Sequence, residues 1–177
     1  MKTIEIVLGC VLLAGCSTMP GDVNSTKAML DGERQIQVHP GWLYAGGMKS
    51  PSLKLGGFWS EKSPDAFNLE VLVPGVEPIS AVKIGLDGEV VELKISGLDQ
   101  RHDRLTPEGA PFNVTVARCP VSLDFVQRMV GSKKVVLRMH LAADYVEGVF
   151  SFDQLTYARP AFRKALKQIP TVSLAKE

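Results

Sequence analysis

Few residues in this chain have side chains and spacing suited to catalysis or metal binding. The three histidines, His39, His102 and His140, are widely separated and show no metal-ligand spacing such as His-Glu-x-x-His. His102 and Asp103 place a general base beside a carboxylate, but adjacent side chains rarely point at each other and no nucleophile is marked nearby. The sequence also lacks the Gly-x-Ser-x-Gly and P-loop patterns. We therefore predict a non-enzymatic protein without metal or cofactor, and a hydrolase ranks third among the functions considered.

Cys16 stands at the end of a short apolar run, directly after Leu13-Ala14-Gly15. Lys2 precedes the run, so the segment has the layout of a secretory signal, with a charged start, an apolar middle and small residues at the cleavage site. The run is far shorter than the about 20 apolar residues that span a membrane. With cysteine in the next position, the segment resembles the lipobox of bacterial lipoproteins. The resemblance implies that residues 1–15 are a signal peptide and that acyl chains attach to the sulfur and amino group of Cys16.

The same resemblance bears on where the protein is anchored. Cys10 is an alternative lipid site, but it would leave an apolar run of roughly four residues where about seven are usual. Each buried methylene of an acyl chain contributes about 0.8 kcal/mol, so two or more chains form a stable anchor. The residue after Cys16 is Ser17 rather than aspartate, which by this resemblance favours the outer membrane, facing the periplasm, over the inner membrane. The membrane is thus the first expected partner, reached through the N-terminal lipid.

Composition limits the remaining partners. After cleavage the chain is long enough for one domain with a hydrophobic core. Loss of Lys2 and Glu5 leaves the formal net charge at +1, so there is no electrostatic argument for nucleic acid. With Cys16 lipidated, Cys119 has no disulfide partner, and we expect it to be a small buried side chain rather than a nucleophile.

Alternation of apolar and polar residues dominates the chain after residue 33. Residues 16–32 are mostly small and polar and predict a flexible tether, although 25–30 could form a helical turn. Residues 33–177 are predicted to form a single domain. Asp87-Gly88 lies between two alternating segments and predicts a tight hairpin turn, because both central positions of that turn need positive φ. The alternating segments predict seven or eight strands, at 35–39, 53–60, 67–73, 82–86, 90–95, 112–117, 135–141 and 145–152.

Two segments have helical rather than strand periodicity. Residues 122–130 predict a short helix, and 160–169 predict a C-terminal helix. Residues 97–111 are polar and predict a loop. The fold class is therefore mainly β, an antiparallel β-sandwich or curved sheet of about 7–8 strands with one short helix and a C-terminal helix. The outward face of the last helix would be basic, with Arg159, Arg163, Lys164 and Lys167.

Trp42, Tyr44 and Trp59 are the candidate contact surface. They lie among several glycines, which can let another backbone or a ligand approach closely. Two interpretations stay open: an aromatic patch that binds a protein or glycan, or core side chains beside strand irregularities.

The leading functional hypothesis is a lipid-anchored periplasmic accessory or assembly component that contacts an unidentified envelope protein. The alternative is a module that binds a small molecule or a glycan. A deep pocket lined by the three aromatic residues would favour the alternative, whereas an exposed apolar patch or a bare sheet edge would favour protein contacts.

Overall fold

The described part of the chain forms two antiparallel β-sheets and two α-helices. The computed structural model describes residues 21–27, 32–45, 53–103, 112–152 and 156–170, and for 101–103 it describes the backbone only. The signal peptide and Cys16 lie outside the described residues. The elements are β1 Val23–Lys27, β2 Arg34–Trp42, β3 Lys54–Ser60, β4 Ala66–Pro74, β5 Ile79–Leu86, β6 Glu89–Leu93, β7 Gly97–Asp103, β8 Phe112–Ser122, α1 Leu123–Gly131, β9 Val135–Leu141, β10 Tyr145–Val149 and α2 Ala158–Gln168.

The strands form a six-stranded sheet of order β1-β2-β3-β4-β8-β7 and a four-stranded sheet of order β10-β9-β5-β6. β5 and β6 of the smaller sheet pack over β8, while α2 packs over β1, β2 and β3. One face of the larger sheet is thus covered partly by the second sheet and partly by a helix. The predicted fold class, a mainly β sandwich with two late helices, is confirmed.

The main hydrophobic core lies between these layers and follows from the alternation in the sequence. In β4, Phe67, Leu69, Val71 and Val73 are all buried and point to the same side, because successive strand side chains alternate between faces. Burial of each such side chain contributes about 1.5–3 kcal/mol. Phe162 of α2 closes the core, with ring centroids 5.6 Å from those of Phe67 and Phe150.

Local signals placed the hairpin and the first helix correctly. Asp87 and Gly88 have φ of 50° and 105°, and Leu86 pairs with Glu89 across the turn, as predicted. The α1 helix begins after Ser122, whose Oγ accepts a hydrogen bond from the Phe125 backbone N–H at 3.1 Å. This side-chain bond satisfies one of the donors that a helix N-terminus leaves unpaired.

Two strands are present where the sequence predicted none. Residues 97–103 form β7 instead of a loop, and their backbone pairs with β8 from Gly97–Arg118 to Asp103–Phe112. The prediction of a tether through residue 32 is likewise wrong for 23–27, which form β1. Both strands lie at an edge of the larger sheet. There polar side chains are tolerated, since they remain in contact with water while the backbone pairs with its neighbour.

Candidate functional site

The structure separates the three aromatic residues of the predicted contact surface. Trp59 is only 1% exposed, lies in the core, and donates from its indole N–H to the Pro64 carbonyl oxygen at 2.8 Å. Trp42 pairs with Lys54, five residues before Trp59 on β3, and therefore lies on the opposite face of the sheet. The core interpretation is correct for Trp59, and the three residues do not form one patch.

Trp42 belongs to a second apolar cluster on the face that points away from the main core. The Lys54 ammonium lies 4.3 Å from the centroid of the Trp42 ring, a cation–π contact. Leu72, Val114 and Val116 are buried beside it, with Phe112 partly buried. The space among these side chains is too small to hold a water molecule. This part of the described surface therefore offers no room for a ligand against Trp42.

The nearby glycines accommodate other parts of the backbone. A Cβ on Gly56 would lie 2.7 Å from the Val38 carbonyl oxygen and 2.8 Å from the Pro40 nitrogen, where β2 has a register shift between Val38 and Gly41. A Cβ on Gly41 would lie 2.9 Å from the backbone nitrogen of Ala158, at the start of α2. These glycines allow strand and helix to approach closely, which is a structural role.

Tyr44 joins the two sheets at one side of the sandwich. Its backbone exchanges two hydrogen bonds with Val149 of β10, at 3.2 Å and 2.7 Å. The adjacent Leu43 is buried against Gly148, where an added Cβ would lie 2.7 Å from the Leu43 Cβ. The Tyr44 ring itself is 38% exposed and meets Phe152 edge to face, with centroids 5.4 Å apart. Of the three predicted contact residues, Tyr44 is the most exposed.

The other side of the sandwich has no covering strand among the described residues. The larger sheet ends at β7 and the smaller sheet ends at β6, and within the described residues neither strand has a second hydrogen-bonded neighbour. The two strands are consecutive in the chain, and between them Ser96 donates from its backbone N–H to the Arg118 carbonyl oxygen at 2.8 Å. The end strands of the two sheets are therefore joined by the short segment between residues 93 and 97.

Two large apolar side chains are exposed at this open side. Leu98 of β7 pairs with the buried Ala117 and so belongs to the core face, yet it is 52% exposed because the smaller sheet ends at β6. Val90 of β6 is 69% exposed on the outward face. We call β6, β7, Val90 and Leu98 together the open edge. Periodicity predicts β6 as a strand, but the polar residues 97–111 predict a loop, so nothing in the sequence indicates the open edge.

Charged residues near the open edge form exposed ion pairs. Asp99 of β7 accepts from Arg118 at 3.0 Å, Glu92 of β6 lies 3.3 Å from Lys83, and Glu89 accepts from Arg128 at 2.7 Å. Exposed pairs of this kind contribute roughly 0–1 kcal/mol to stability. They also flank the strand edges with charge, a common means of limiting edge-to-edge aggregation.

The histidines do not assemble a catalytic group in the described part of the chain. Asn24 Nδ2 lies 3.1 Å from His39 Nε2, so this side-chain hydrogen bond links β1 to β2. His140 shares the outward face of the smaller sheet with Arg138, as predicted, and its ring lies 6.1 Å from that of Tyr145. Its Nε2 atom is shielded and has no hydrogen-bond partner among the described residues. The backbone of His102 and Asp103 lies in β7, while their side chains are outside the description.

Cys119 is buried on the core face of β8, so the prediction of a small buried side chain is confirmed. Desolvation by burial raises the pKa of its thiol to about 11, which keeps it protonated at neutral pH. Over the described ranges, no group of three or more His, Cys, Asp or Glu residues could hold a metal ion. A search of the same ranges for a helix able to cross a membrane also finds none.

An open cleft of about 520 Å³ at the β5–β6 turn contains polar groups that are already engaged in the fold. The Asp87 carboxylate accepts from the backbone N–H groups of Lys134 at 2.7 Å and Lys133 at 3.2 Å. The Lys134 hydrogen bond is the main reason that the pKa of Asp87 is lowered. Arg128, which also lines the cleft, pairs with Glu89. These contacts hold the β5–β6 turn against the end of α1.

The prediction of a basic outward face on α2 is right for Arg163, Lys164 and Lys167, which are exposed, but wrong for Arg159, which is 8% exposed. The Arg159 guanidinium donates to the carbonyl oxygens of Val130, Ser132 and Ser151 at 2.9–3.1 Å. A signal was available in the sequence, since position 159 is three residues before Phe162 and continues the buried stripe of α2.

Neither of two sequence comparisons identifies a relative of this chain. A scan of the sequence against protein-family models finds no match, and a search of curated proteins finds no significant relative.

Proposed function

We propose that the chain is a lipid-anchored protein of the outer membrane that faces the periplasm and acts as an accessory or assembly component through protein contacts. The open edge is the observation that carries this proposal. It combines the edges of β6 and β7, each without a second hydrogen-bonded neighbour in the described ranges, with two exposed apolar side chains, Val90 and Leu98. Anchoring rests on the resemblance of Leu13–Cys16 to a lipobox.

An unpaired strand edge supports binding by strand addition. An extended segment of a partner can hydrogen-bond to the main chain of β7 or β6, while pockets for alternate side chains supply specificity. Leu98 supplies an apolar anchor on the core face of β7, and its exposed side chain would be desolvated by such a partner. The exposed charges of Asp99 and Glu92 would lie at the rim of that contact.

The small-molecule or glycan-binding alternative has less support. A ligand site usually encloses its ligand in a concave cavity of at least about 300 Å³ with a few converging polar groups. Trp59 is buried in the core, and Trp42 packs against Lys54 without room for a water molecule between them. Tyr44 lies elsewhere, beside Phe152.

Anchoring is tested on the mature protein purified from a bacterial membrane fraction. The intact mass is expected to begin at Cys16 and to include acyl chains, and Cys16→Ala is expected to remove both the acyl mass and the membrane association. Cys10→Ala is the matched control, since position 10 leaves with the signal peptide. An unmodified wild-type mass, or a C16A protein that stays membrane-bound, would contradict the proposal.

Protein contact at the open edge is tested by placing a photo-crosslinking amino acid at Val90 or Leu98 of the full chain in intact cells. Both positions are expected to give the same discrete product, and Leu98→Glu should abolish the product formed from position 90. The control position is Val76, which is 54% exposed in the β4–β5 connection. Equal yield at Val76, or no product from either edge position, would count against the open edge as the contact site.

A further inference from the structure

The point where the chain enters the domain lies beside the start of α2. The Gly21 backbone N–H donates to the His39 carbonyl oxygen at 3.2 Å, which holds it against β2. A Cβ on Gly21 would lie 2.8 Å from the Cβ of Tyr157, the residue that precedes α2. Cys16 is five residues earlier in the sequence, so even a fully extended connection places the lipidated residue within about 18 Å of Gly21.

Tyr157 at this entry point is joined by two further exposed aromatic residues. Tyr157 is 66% exposed, Phe152 is 49% exposed, and Tyr44 is 38% exposed and in contact with Phe152. The Thr156 backbone N–H donates to the Phe152 carbonyl oxygen at 2.9 Å, which brings Phe152 close to the start of α2. Aromatic side chains with one polar and one apolar end are favoured at the level of lipid head groups.

The exposed side of α2 adds positive charge to the same region. Lys164 is seven residues after Tyr157 and therefore lies almost directly in line with it along the helix. Arg163 and Lys167 are also exposed, and Ala158–Gln168 contains no aspartate or glutamate. Exposed aromatic residues beside a helix whose charged residues are all basic are complementary to a bilayer that contains anionic lipid.

We infer that this surface, formed by Tyr44, Phe152, Tyr157, Lys164 and Lys167 and here called the anchor-side face, lies against the surface of the lipid bilayer. The inference rests on the proposed lipid anchor at Cys16, which would hold Gly21 close to the membrane. The aromatic rings contact the head-group region and the lysines contact anionic lipid phosphates.

Such docking fixes the direction of the open edge. The anchor-side face borders β1 and β2, and β7 is at the opposite end of the same six-stranded sheet. Five interstrand spacings separate β1 from β7, a distance of about 24 Å. A domain docked on the bilayer by its anchor-side face therefore directs the open edge away from that membrane, where a periplasmic partner can reach it.

The test uses the full lipidated protein reconstituted into phosphatidylcholine vesicles, with or without phosphatidylglycerol. An environment-sensitive fluorophore is attached at Pro160→Cys on α2, and in a second protein at Val90→Cys on the open edge. Quenchers carried on the lipid chains near the head groups are expected to quench the α2 label and to leave the edge label unaffected. The quenching should strengthen when phosphatidylglycerol is present.

Charge reversal supplies the matched controls. Lys164→Glu with Lys167→Glu should reduce quenching of the α2 label in phosphatidylglycerol vesicles by about tenfold. Lys133→Glu with Lys134→Glu makes the same change in net charge at exposed positions near the β5–β6 turn and should leave the quenching unchanged. Tyr157→Ser should weaken quenching in both kinds of vesicle.

The outcomes separate this inference from the anchoring proposal. If the intact mass shows acyl chains but both labels are quenched equally or not at all, docking by the anchor-side face is overturned and the lipid anchor stands. Equal effects of the two charge reversals also overturn it. An intact mass without acyl chains overturns the anchor, and the docking inference with it.

Discussion

The guanidinium of Arg159 binds the carbonyl oxygen of Val130 with two donors, Nε at 3.1 Å and Nη2 at 3.0 Å. Val130 is in the last turn of α1, whose terminal carbonyl groups have no partner within the helix. Arg159 also binds Ser132 and Ser151, so one buried side chain at the start of α2 joins the end of α1 to the segment after β10. Arginine is usually found on protein surfaces, but Arg159 is buried and its hydrogen bonds stabilise the interior.

Replacement of Arg159 by methionine should strongly destabilise the domain. Methionine fills similar space but leaves the bound carbonyl oxygens without donors, and hydrogen bonds to charged groups contribute roughly 1.5–3 kcal/mol each. We expect a loss of about 2–4 kcal/mol in the free energy of unfolding, measured by urea denaturation. Lys164→Met, at an exposed position of the same helix, should change it by less than about 0.5 kcal/mol.

Arg159→Lys distinguishes the role of the guanidinium from that of positive charge. An ammonium is a point charge and cannot reproduce a planar group with several donors. We expect Arg159→Lys to recover less than half of the stability lost in Arg159→Met. Full recovery would show that charge alone is sufficient and that the geometry of the three carbonyl contacts is unimportant.

Asp87 should make stability depend on pH below the neutral range. Its pKa is lowered from 3.8, chiefly by the Lys134 backbone N–H, so its folded value lies below its unfolded value. The stabilisation is therefore complete above the unfolded pKa and is lost as the pH falls through the folded pKa. The free energy of unfolding of the wild type should exceed that of Asp87→Asn at pH 7, with the difference shrinking below about pH 4.

Asparagine is the appropriate replacement because it tolerates the positive φ of 50° at this turn position. Glu33, whose pKa is lowered mainly by its hydrogen bond with Lys62, changes stability in the same direction in both proteins and cancels in the difference. A difference between wild type and variant that stays constant from pH 7 to pH 2 would contradict the assigned role of Asp87.

Gly56→Ala should destabilise the β2–β3 pair. The added Cβ would lie 2.7 Å from the Val38 carbonyl oxygen and 2.8 Å from the Pro40 nitrogen, both backbone atoms that cannot move independently. Overpacking of this kind costs about 1–3 kcal/mol, which urea denaturation will detect. The control is Gly85→Ala in β5, where the nearest atom to the new Cβ is 3.8 Å away, and stability should be equal or slightly higher. Equal effects of the two substitutions would refute the close approach at the β2 irregularity.

Cys119 should be unreactive while the protein is folded. Its thiol is buried, and with a pKa of about 11 only about one in ten thousand molecules carries the thiolate at pH 7. A bulky thiol reagent is expected to label Cys119 slowly in buffer and at once in denaturing urea, as followed by absorbance or mass. Labelling in buffer at the rate of a small exposed thiol would contradict this.

Local patterns in the sequence were sufficient to predict most of the strands and both helices. Alternation marked the strands that have one buried face, Asp87-Gly88 marked the hairpin, and Ser122 marked the start of α1. Each of these signals acts within a few residues, through backbone φ, a single capping hydrogen bond or the alternation of strand faces. The strands β1 and β7 lacked such a signal because a solvent-exposed edge strand does not need alternating apolar residues.

By itself, the sequence determined a mainly β domain with two late helices and, through the resemblance at Leu13–Cys16, the proposal of a lipid anchor. The tertiary structure alone decided that Trp42 and Trp59 lie on opposite faces, which carbonyl oxygens Arg159 binds, and that β6 and β7 leave an open edge among the described residues. The reason is physical. Alternation shows that a residue lies on one of two faces, but which face is buried and which strand edge stays unpaired depends on segments far away in the chain.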